Sequence, residues 1–190
     1  FDEGGVDEVR RKFFGTLYNT NSFFALYANI EGWTPSVIPS EAKESRPEID
    51  RWIISKMNTL IREVRAAYED YDVKTAGRLI ETFVCDHVSN WYVRLNRSRF
   101  WNGDKQAFQT LYDVLMNVAI LAAPIAPFFM DQLYLDLGGS SESVHYVLMP
   151  EADTSVIDLE LEERMELAQQ ATSMAPCIIF IDEIDAIGKS

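Results

Sequence analysis

The side chains with the clearest chemical potential lie in residues 89–101, a segment that is both basic and aromatic. Guanidinium groups bind phosphates through paired hydrogen bonds, and aromatic rings stack on nucleobases. At helical spacing Asn90, Arg94 and Arg97 share one face, which favours contact with a nucleic acid. The alternative is structural, because the helix dipole favours basic residues at a C-terminal end by about 0.3–1 kcal/mol each. Trp and Phe at this spacing are also typical of a core.

The candidate phosphate contacts extend from this segment to two arginines of the preceding helix. The full set consists of Arg62, Arg65, Arg94, Arg97 and Arg99, with Trp101 as a stacking platform. Trp91 is assigned to the core instead. We expect the guanidinium groups to converge on one outward surface, and an arrangement over different faces contradicts that expectation.

No catalytic or metal-binding pattern accompanies these residues. His87 and His145 are the only histidines, and Cys85 and Cys177 are too far apart for a zinc motif. His87 lies on the apolar side of its helix, which predicts a hydrogen-bonded core histidine. Cys85 and His87 cannot form a nucleophile pair, because residues two apart on a helix point about 200° apart. The sequence therefore predicts neither a catalytic residue nor a metal ligand.

Helical periodicity places these side chains on an all-α bundle of four to five helices. Apolar residues recur at helical spacing over residues 6–30, and the Gly, Pro and Ser content of residues 31–47 predicts a loop. Two amphipathic helices follow at about 48–70 and 73–100, and Asp72 is expected to cap the second.

The second half of the chain continues the helical pattern. An apolar helix over about 104–137, capped by Asp104, is expected to be the buried central element. Pro124 and Pro127 must kink or break it. A short extended segment is predicted near residues 143–149, and a last helix with an acidic face is predicted from residue 153 to about 170.

Composition and charge limit the classes of protein to which this chain can belong. Of the 190 residues 47% are hydrophobic and 25% charged, which fits a globular domain and excludes disorder throughout. The net charge is −13, yet residues 46–101 carry ten basic and eight acidic groups, whereas residues 102–190 carry three and fifteen. Only the middle third can attract a polyanion. The longest apolar run, residues 118–130, is too short to span a bilayer. Two cysteines favour a reducing compartment, so we expect a cytoplasmic protein.

Five sequence blocks in order resemble the helical anticodon-binding domain of isoleucyl-tRNA synthetases, with the valyl and leucyl enzymes as more distant relatives. Residues 89–101 look like the SNWYVR…RxRFW signature of that family. Residues 9–20 are similar to its opening helix and residues 50–56 to its DRWILS block. Residues 121–128 resemble the LxxxAPxxPF block, and residues 143–145 resemble the SVH element.

The resemblance implies a piece of a longer enzyme, cut just after the catalytic domain. Residues 1–170 would hold the anticodon stem and loop of an isoleucine-accepting tRNA, with that tRNA and the parent catalytic domain as partners. The HIGH and KMSKS signatures that bind ATP in such enzymes do not occur here. The piece alone is therefore expected to be inactive and to need no cofactor, whereas the parent enzyme would use ATP and Mg²⁺. We expect a monomer that does not bind a membrane.

Residues 171–190 depart from this family. Residues 175–188 look like the Walker B strand of AAA+ ATPases, closest to FtsH-type proteases. In that family the counterpart of Asp182 supports Mg²⁺ and the counterpart of Glu183 polarises water. The final Gly188-Lys189-Ser190 lacks the earlier glycine of a phosphate-binding loop. We therefore expect a foreign or misjoined tail, which could add a strand beside residues 143–149, and not an independent domain.

Two other functions remain open on the sequence alone. One is a helical protein-interaction module without a nucleic-acid role, and the other is a non-functional fragment of an AAA+ ATPase. A tRNA-binding domain predicts affinity that falls steeply with salt, because released counterions drive the association. Binding of Mg²⁺–ATP would favour the ATPase fragment instead.

Overall fold

The structure, a computed structural model, describes residues 7–36 and 46–173. A π-helical turn, Arg10–Phe14, leads into the first α-helix. The helices of the first half are, in chain order, α1 (Gly15–Ile30), α2 (Glu48–Glu69), α3 (Val73–Thr82), a π-helix (Phe83–Val93) and α4 (Arg94–Trp101). The last three follow one another without a break and form one continuous helical rod.

The second half contains three more helices and two short turns. In order they are α5 (Lys105–Ala122), α6 (Pro127–Asp136), 3₁₀ turns at Val144–Tyr146 and Thr154–Val156, and α7 (Leu159–Ser173). No strand occurs within the described ranges, so the all-α fold class is confirmed. With the rod counted once, these ranges contain six helices.

The described ranges contain one helix more than the four to five expected, because the long apolar segment is divided at its two prolines. Pro127 has no N–H to donate and lies at the first helical position of α6, where none is needed. Ala126, just before it, has a non-helical backbone, and α5 has already ended at Ala122. The expected break therefore separates α5 from α6.

Helix α5 is the central element of the core, as its sequence predicts. Phe108, Leu111 and Leu121 have no exposed surface, and Asp104 caps the helix by accepting hydrogen bonds from the N–H groups of Gln106 and Ala107. Burial of large apolar side chains such as these stabilises the fold by about 1.5–3 kcal/mol each.

The polar side of α2 is covered by the C-terminal part of the chain. Ser55 and Thr59 each donate a hydrogen bond to the Glu162 carboxylate of α7, at 2.5 and 2.9 Å. The Asn58 side chain accepts from the Asp153 N–H at 2.9 Å, and Lys56 Nζ lies 2.6 Å from Glu166. Because all of these groups are paired, α7 and the segment before it pack firmly on α2.

The region expected to be extended near residues 143–149 is partly a turn. Val144–Tyr146 forms a 3₁₀ turn, while Ser143 and Val147 on either side have extended backbones. The Asp131 carboxylate of α6 accepts hydrogen bonds from Ser143 Oγ and Val144 N–H at 2.7 and 2.9 Å. These two bonds fix the turn to the end of the bundle.

The predicted domain boundary near residue 170 stays a prediction. Helix α7 continues to Ser173, and the Walker B-like residues, including Asp182 and Glu183, lie outside the described residues. None of the helices in the described ranges is both long and apolar enough to cross a bilayer.

Candidate nucleic-acid interface

One side of α4 presents two arginines and a tryptophan to solvent. Arg94, Arg97 and Trp101 are all exposed, and Trp101 keeps 60% of its surface accessible. At 100° per residue these three positions fall within about 60° of one another around the helix. We call these three residues the α4 patch. It combines two positive charges with one aromatic face, the combination that binds phosphate and stacks on a base.

The position of Arg94 in the patch is fixed by an aromatic ring. Its guanidinium carbon lies 5.8 Å from the centroid of the Trp91 ring, a cation–π contact. Trp91 itself is only 6% exposed, which confirms its assignment to the core. The contact leaves the guanidinium N–H groups of Arg94 available at the surface.

A groove of about 550 Å³ runs beside the patch, between the π-helix and α7. Its walls carry amide and carboxylate side chains, and Arg94 lies at its edge. Polar residues of its lining include Asp86, Asn90, Glu166 and Gln169. Gln169 donates a hydrogen bond to the Asp86 carbonyl at 3.0 Å, which holds α7 against the π-helix.

Arg99 points away from the α4 patch, into a buried polar cluster. Its Nη1 and Nη2 donate to the two carboxylate oxygens of Asp50 at 2.7 and 2.8 Å, and its Nε donates to Asp104 at 2.7 Å. Nη1 also donates to the Asn96 side chain at 3.0 Å, and the Tyr92 hydroxyl donates to Asp50 at 2.8 Å. We call these five residues the Arg99 cluster.

The charges inside the Arg99 cluster stabilise one another. Asp50 has no exposed surface, so its carboxylate depends on these hydrogen bonds. Burial raises the pKa of the Tyr92 hydroxyl, and the neighbouring Asp50 raises it further, so Tyr92 stays a hydrogen-bond donor. Burial acts to raise the pKa of Asp104, but the hydrogen bond and charge of Arg99 outweigh it and lower that pKa. Breaking such a buried pair by removing one partner costs about 3–5 kcal/mol.

Arg62 and Arg65 lie apart from the α4 patch. The rod runs antiparallel to α2, so α4 lies beside Asp50 at the start of α2. Arg62 is three turns further along, about 18 Å at 1.5 Å per residue. Arg65 Nη1 donates to the carbonyls of Met149 and Pro150 at 3.1 and 3.0 Å, while the Arg62 side chain is exposed.

The expectation of one surface shared by all five arginines is therefore wrong. Arg94 and Arg97 share the α4 patch with Trp101, Arg62 lies at a distance along α2, and Arg65 is directed to backbone carbonyls. The Arg99 guanidinium is directed to carboxylates. The physical reason is that local spacing fixes a side chain's face on its own helix but not what packs against that face.

His87 is a partly buried side chain, but the hydrogen bond expected of a core histidine is missing at its Nδ1. Its ring packs edge-on against Trp52 at 5.8 Å, and its Nδ1 is buried without a hydrogen-bond partner. Burial lowers the pKa of His87, and the nearby Lys56 ammonium lowers it further. No group of three or more potential metal ligands occurs within the described residues.

The partners of Arg99 are the residues that the sequence analysis missed. Asp50 is 49 positions away in the chain, so no local pattern links the two. One local signal does exist, because Tyr92, Asn96 and Arg99 follow an i, i+4, i+7 spacing. The buried aromatic residue at the start of that series predicts that Arg99 faces inward.

Comparison with known proteins identifies the family to which this helical bundle belongs. The family model for the anticodon-binding domain of tRNA ligases matches residues 50–186, and the chain belongs to this family.

The chain is similar to several isoleucine–tRNA ligases of this family. It is 56% identical over 179 residues to isoleucine–tRNA ligase of Porphyromonas gingivalis and 55% identical over 184 residues to that of Bacteroides fragilis. Each match covers 92% of this chain and 16% of the relative. The isoleucine–tRNA ligase of Cytophaga hutchinsonii is 50% identical over 190 residues, which is 94% of this chain and 17% of that protein. The chain thus spans about a sixth of the length of these relatives.

Proposed function

We propose that this domain binds the anticodon stem and loop of an isoleucine-accepting tRNA, with the α4 patch as its main contact. The domain serves an isoleucine–tRNA ligase, whose ATP and Mg²⁺ bind elsewhere in the longer enzyme. It acts as a monomer in the cytoplasm, together with the catalytic domain of that enzyme. In this role it holds the tRNA and performs no chemical step itself.

The observation that carries the proposal is the exposed arrangement of Arg94, Arg97 and Trp101 on one side of α4. RNA loops expose phosphates and unstacked bases together, and the patch offers guanidinium groups and a ring within about two turns of helix. The amides of Asn90 and Gln169 in the adjacent groove supply donors and acceptors suited to base edges.

Arg62 and Arg65 belong to the proposal as outlying contacts. Their distance from the α4 patch matches a long ligand such as a tRNA stem, along which phosphates recur every few ångströms. Arg65 retains N–H groups beyond the Nη1 that donates to Met149 and Pro150. We expect each of these two arginines to contribute less than Arg94 or Arg97.

A binding titration against isoleucine tRNA tests the proposal. We expect affinity to fall linearly with salt on a log–log plot, with a slope that reports the number of phosphates neutralised. Arg94→Gln and Arg97→Gln should each weaken binding and reduce that slope by about 0.7–0.9. Arg10→Gln removes the same charge from an exposed position paired with Asp7 and should leave both quantities unchanged.

Two outcomes would overturn the proposal. Weak binding of equal strength to tRNA and to neutral polymers, unaffected by Arg94→Gln, would favour a protein-interaction module. Heat released on mixing the chain with Mg²⁺–ATP in a calorimeter would favour the ATPase fragment, and we expect none.

A further inference from the structure

Arg99 connects three helical elements through its side chain. It donates to Asp50 in the first turn of α2, to Asn96 within α4, and to Asp104 at the start of α5. Four of its five N–H groups are accounted for by these contacts and by the second bond to Asp50. The side chain is also largely covered, since only 20% of it is exposed.

Arg99 also forms both hydrogen bonds that hold the turn between α4 and α5 to Asp104. The Asp104 N–H donates to the Arg99 carbonyl at 3.0 Å, while the Asp104 carboxylate accepts from Arg99 Nε. Gly103 makes the turn possible with a positive φ of 71°. Trp101, a member of the α4 patch, lies between Arg99 and this turn, so the Arg99 cluster holds the backbone on both sides of it.

Arg99 cannot itself reach what the α4 patch binds. At 100° per residue its position is rotated by about 140° from Arg94 and about 160° from Arg97. A ligand seated on Arg94, Arg97 and Trp101 therefore lies on the far side of the helix. Any effect of Arg99 on such a ligand must act through the orientation of α4.

We propose that Arg99 is a positioning residue for tRNA binding: it clamps Asp50 and Asp104 and so sets the angle at which Arg97 and Trp101 meet the RNA. The inference rests on the proposed function of the α4 patch. The planar fork of arginine is required, because it grips both oxygens of Asp50 while Nε holds Asp104, whereas a lysine offers one compact ammonium. The clamp orients the patch and does not contact RNA.

The test compares the Arg99 cluster with the α4 patch in the full 190-residue chain. Arg99→Gln and Asp50→Asn should each weaken binding of isoleucine tRNA by about three- to tenfold, with little change in the salt slope, since no phosphate contact is removed. The double variant should be no weaker than the stronger single variant, because both changes break one clamp. Arg99→Lys should fail to restore binding.

Asp50 gives the sharpest contrast between positioning and direct contact. If Arg99 touched a phosphate, Asp50→Asn would remove a competing carboxylate, and binding would stay equal or become tighter. That result, or a slope reduced by about 0.7–0.9 in Arg99→Gln, overturns the inference.

A milder variant covers the case in which the Asp50 or Arg99 variants fail to fold. Asp104→Asn removes the charge that pairs with Arg99 but retains a side chain that caps α5 well. We expect a two- to threefold weaker affinity from it, and unchanged or tighter binding contradicts the clamp. Val118→Ala, a core change away from the cluster, controls for lost stability. An equal loss of affinity in Val118→Ala at matched folded fraction overturns the inference.

The two proposals fail in different ways. If Arg94→Gln and Arg97→Gln leave tRNA binding unchanged, the proposed function of the α4 patch is wrong. If those variants weaken binding while Arg99→Gln and Asp50→Asn do not, only the positioning role is wrong.

Discussion

At the level of the single residue, Arg94, Arg97 and Arg99 have different roles although they are close together in the sequence. Arg94 and Arg97 stand at the surface, whereas Arg99 holds two carboxylates in a covered site. A guanidinium at the surface loses little of its hydration, but one that is buried must be matched by acceptors. The chemistry available to each arginine is therefore decided by its side of the helix.

Glu162 provides a prediction about the buried polar contacts beneath α7. Its carboxylate accepts from Ser55 and Thr59 and lies 3.5 Å from Lys56 Nζ. We expect Glu162→Gln to lower the free energy of unfolding by about 1–3 kcal/mol, because charged hydrogen bonds become neutral ones in a buried site. Urea denaturation measures the change. Its neighbour Glu163 is exposed, so Glu163→Gln should stay within about 0.5 kcal/mol of the parent, and equal losses would contradict the prediction.

His87 provides a prediction about pH. Burial, followed by the Lys56 charge, lowers its pKa in the folded state below the ordinary value of 6.5. The unfolded chain then binds the proton more readily, so stability is full above about pH 6.5 and is lost as the pH falls below it, by at most about 1.4 kcal/mol per pH unit. Unfolding measured between pH 7.5 and 5 should show this slope in the parent and in His145→Gln, whose side chain is exposed. A slope of the same size in His87→Gln would contradict the assignment.

At the level of the helices, local rules were sufficient for some features and insufficient for others. Asp72 and Asp104 cap their helices as predicted, and Pro127 begins α6, because caps and prolines act within one turn. The π-helix at Phe83–Val93 was not predicted. Three successive residues are buried at each end of this π-helix. A regular helical period of 3.6 residues does not predict three buried neighbours in a row, so the sequence pattern gave no sign of it.

Contacts between distant segments explain the rest of what the sequence left open. The spacing of α2 identified two sides of the helix, yet it did not show that α7 would cover Ser55 from 107 positions away. For the candidate interface, helical spacing correctly placed Arg94 and Arg97 on one face, whereas Arg99 was counted among the phosphate contacts although its spacing does not put it on that face. Side-chain direction was thus predictable where one helix decides it, and not where a second helix supplies the partner.

Asp72 tests the cap of the helical rod. Its carboxylate accepts from the Thr75 N–H at 2.9 Å and from the Thr75 hydroxyl at 2.6 Å, and these bonds lower its pKa. We expect Asp72→Ala to lower the thermal midpoint by about 2–4 °C at pH 7. The difference should shrink only as the pH falls through the lowered pKa of Asp72, below the ordinary value of 3.8, because the parent carboxylate is protonated there. Asp70→Ala is the matched control, because Asp70 follows the C-terminal end of α2, where a negative charge is unfavourable. A midpoint that falls equally in both variants would contradict the capping role.

At the level of the whole molecule, the charge distribution opposes its proposed ligand except in one region. The net charge is −13, and residues 102–190 hold fifteen acidic and three basic groups. A polyanion approaching the α4 patch meets repulsion from this part of the chain, over the roughly 10 Å that charges act through at 0.1 M salt. Because Glu166 of α7 and Arg94 both line the groove, α7 brings one of those acidic groups close to the patch.

The exposed acidic residues of α7 therefore give a prediction about the electrostatic repulsion of tRNA by the molecule as a whole. Glu160 and Glu163 are exposed, and the double change Glu160→Gln with Glu163→Gln removes two negative charges without touching the α4 patch. We expect about two- to threefold tighter tRNA binding at 50 mM salt and no difference at 0.5 M, where screening shortens the range of the field. The charge-preserving change of both residues to Asp should bind like the parent at either concentration. A gain that persists at 0.5 M would mean that the variants create a contact instead of relieving repulsion, and this account of the charge distribution would be wrong.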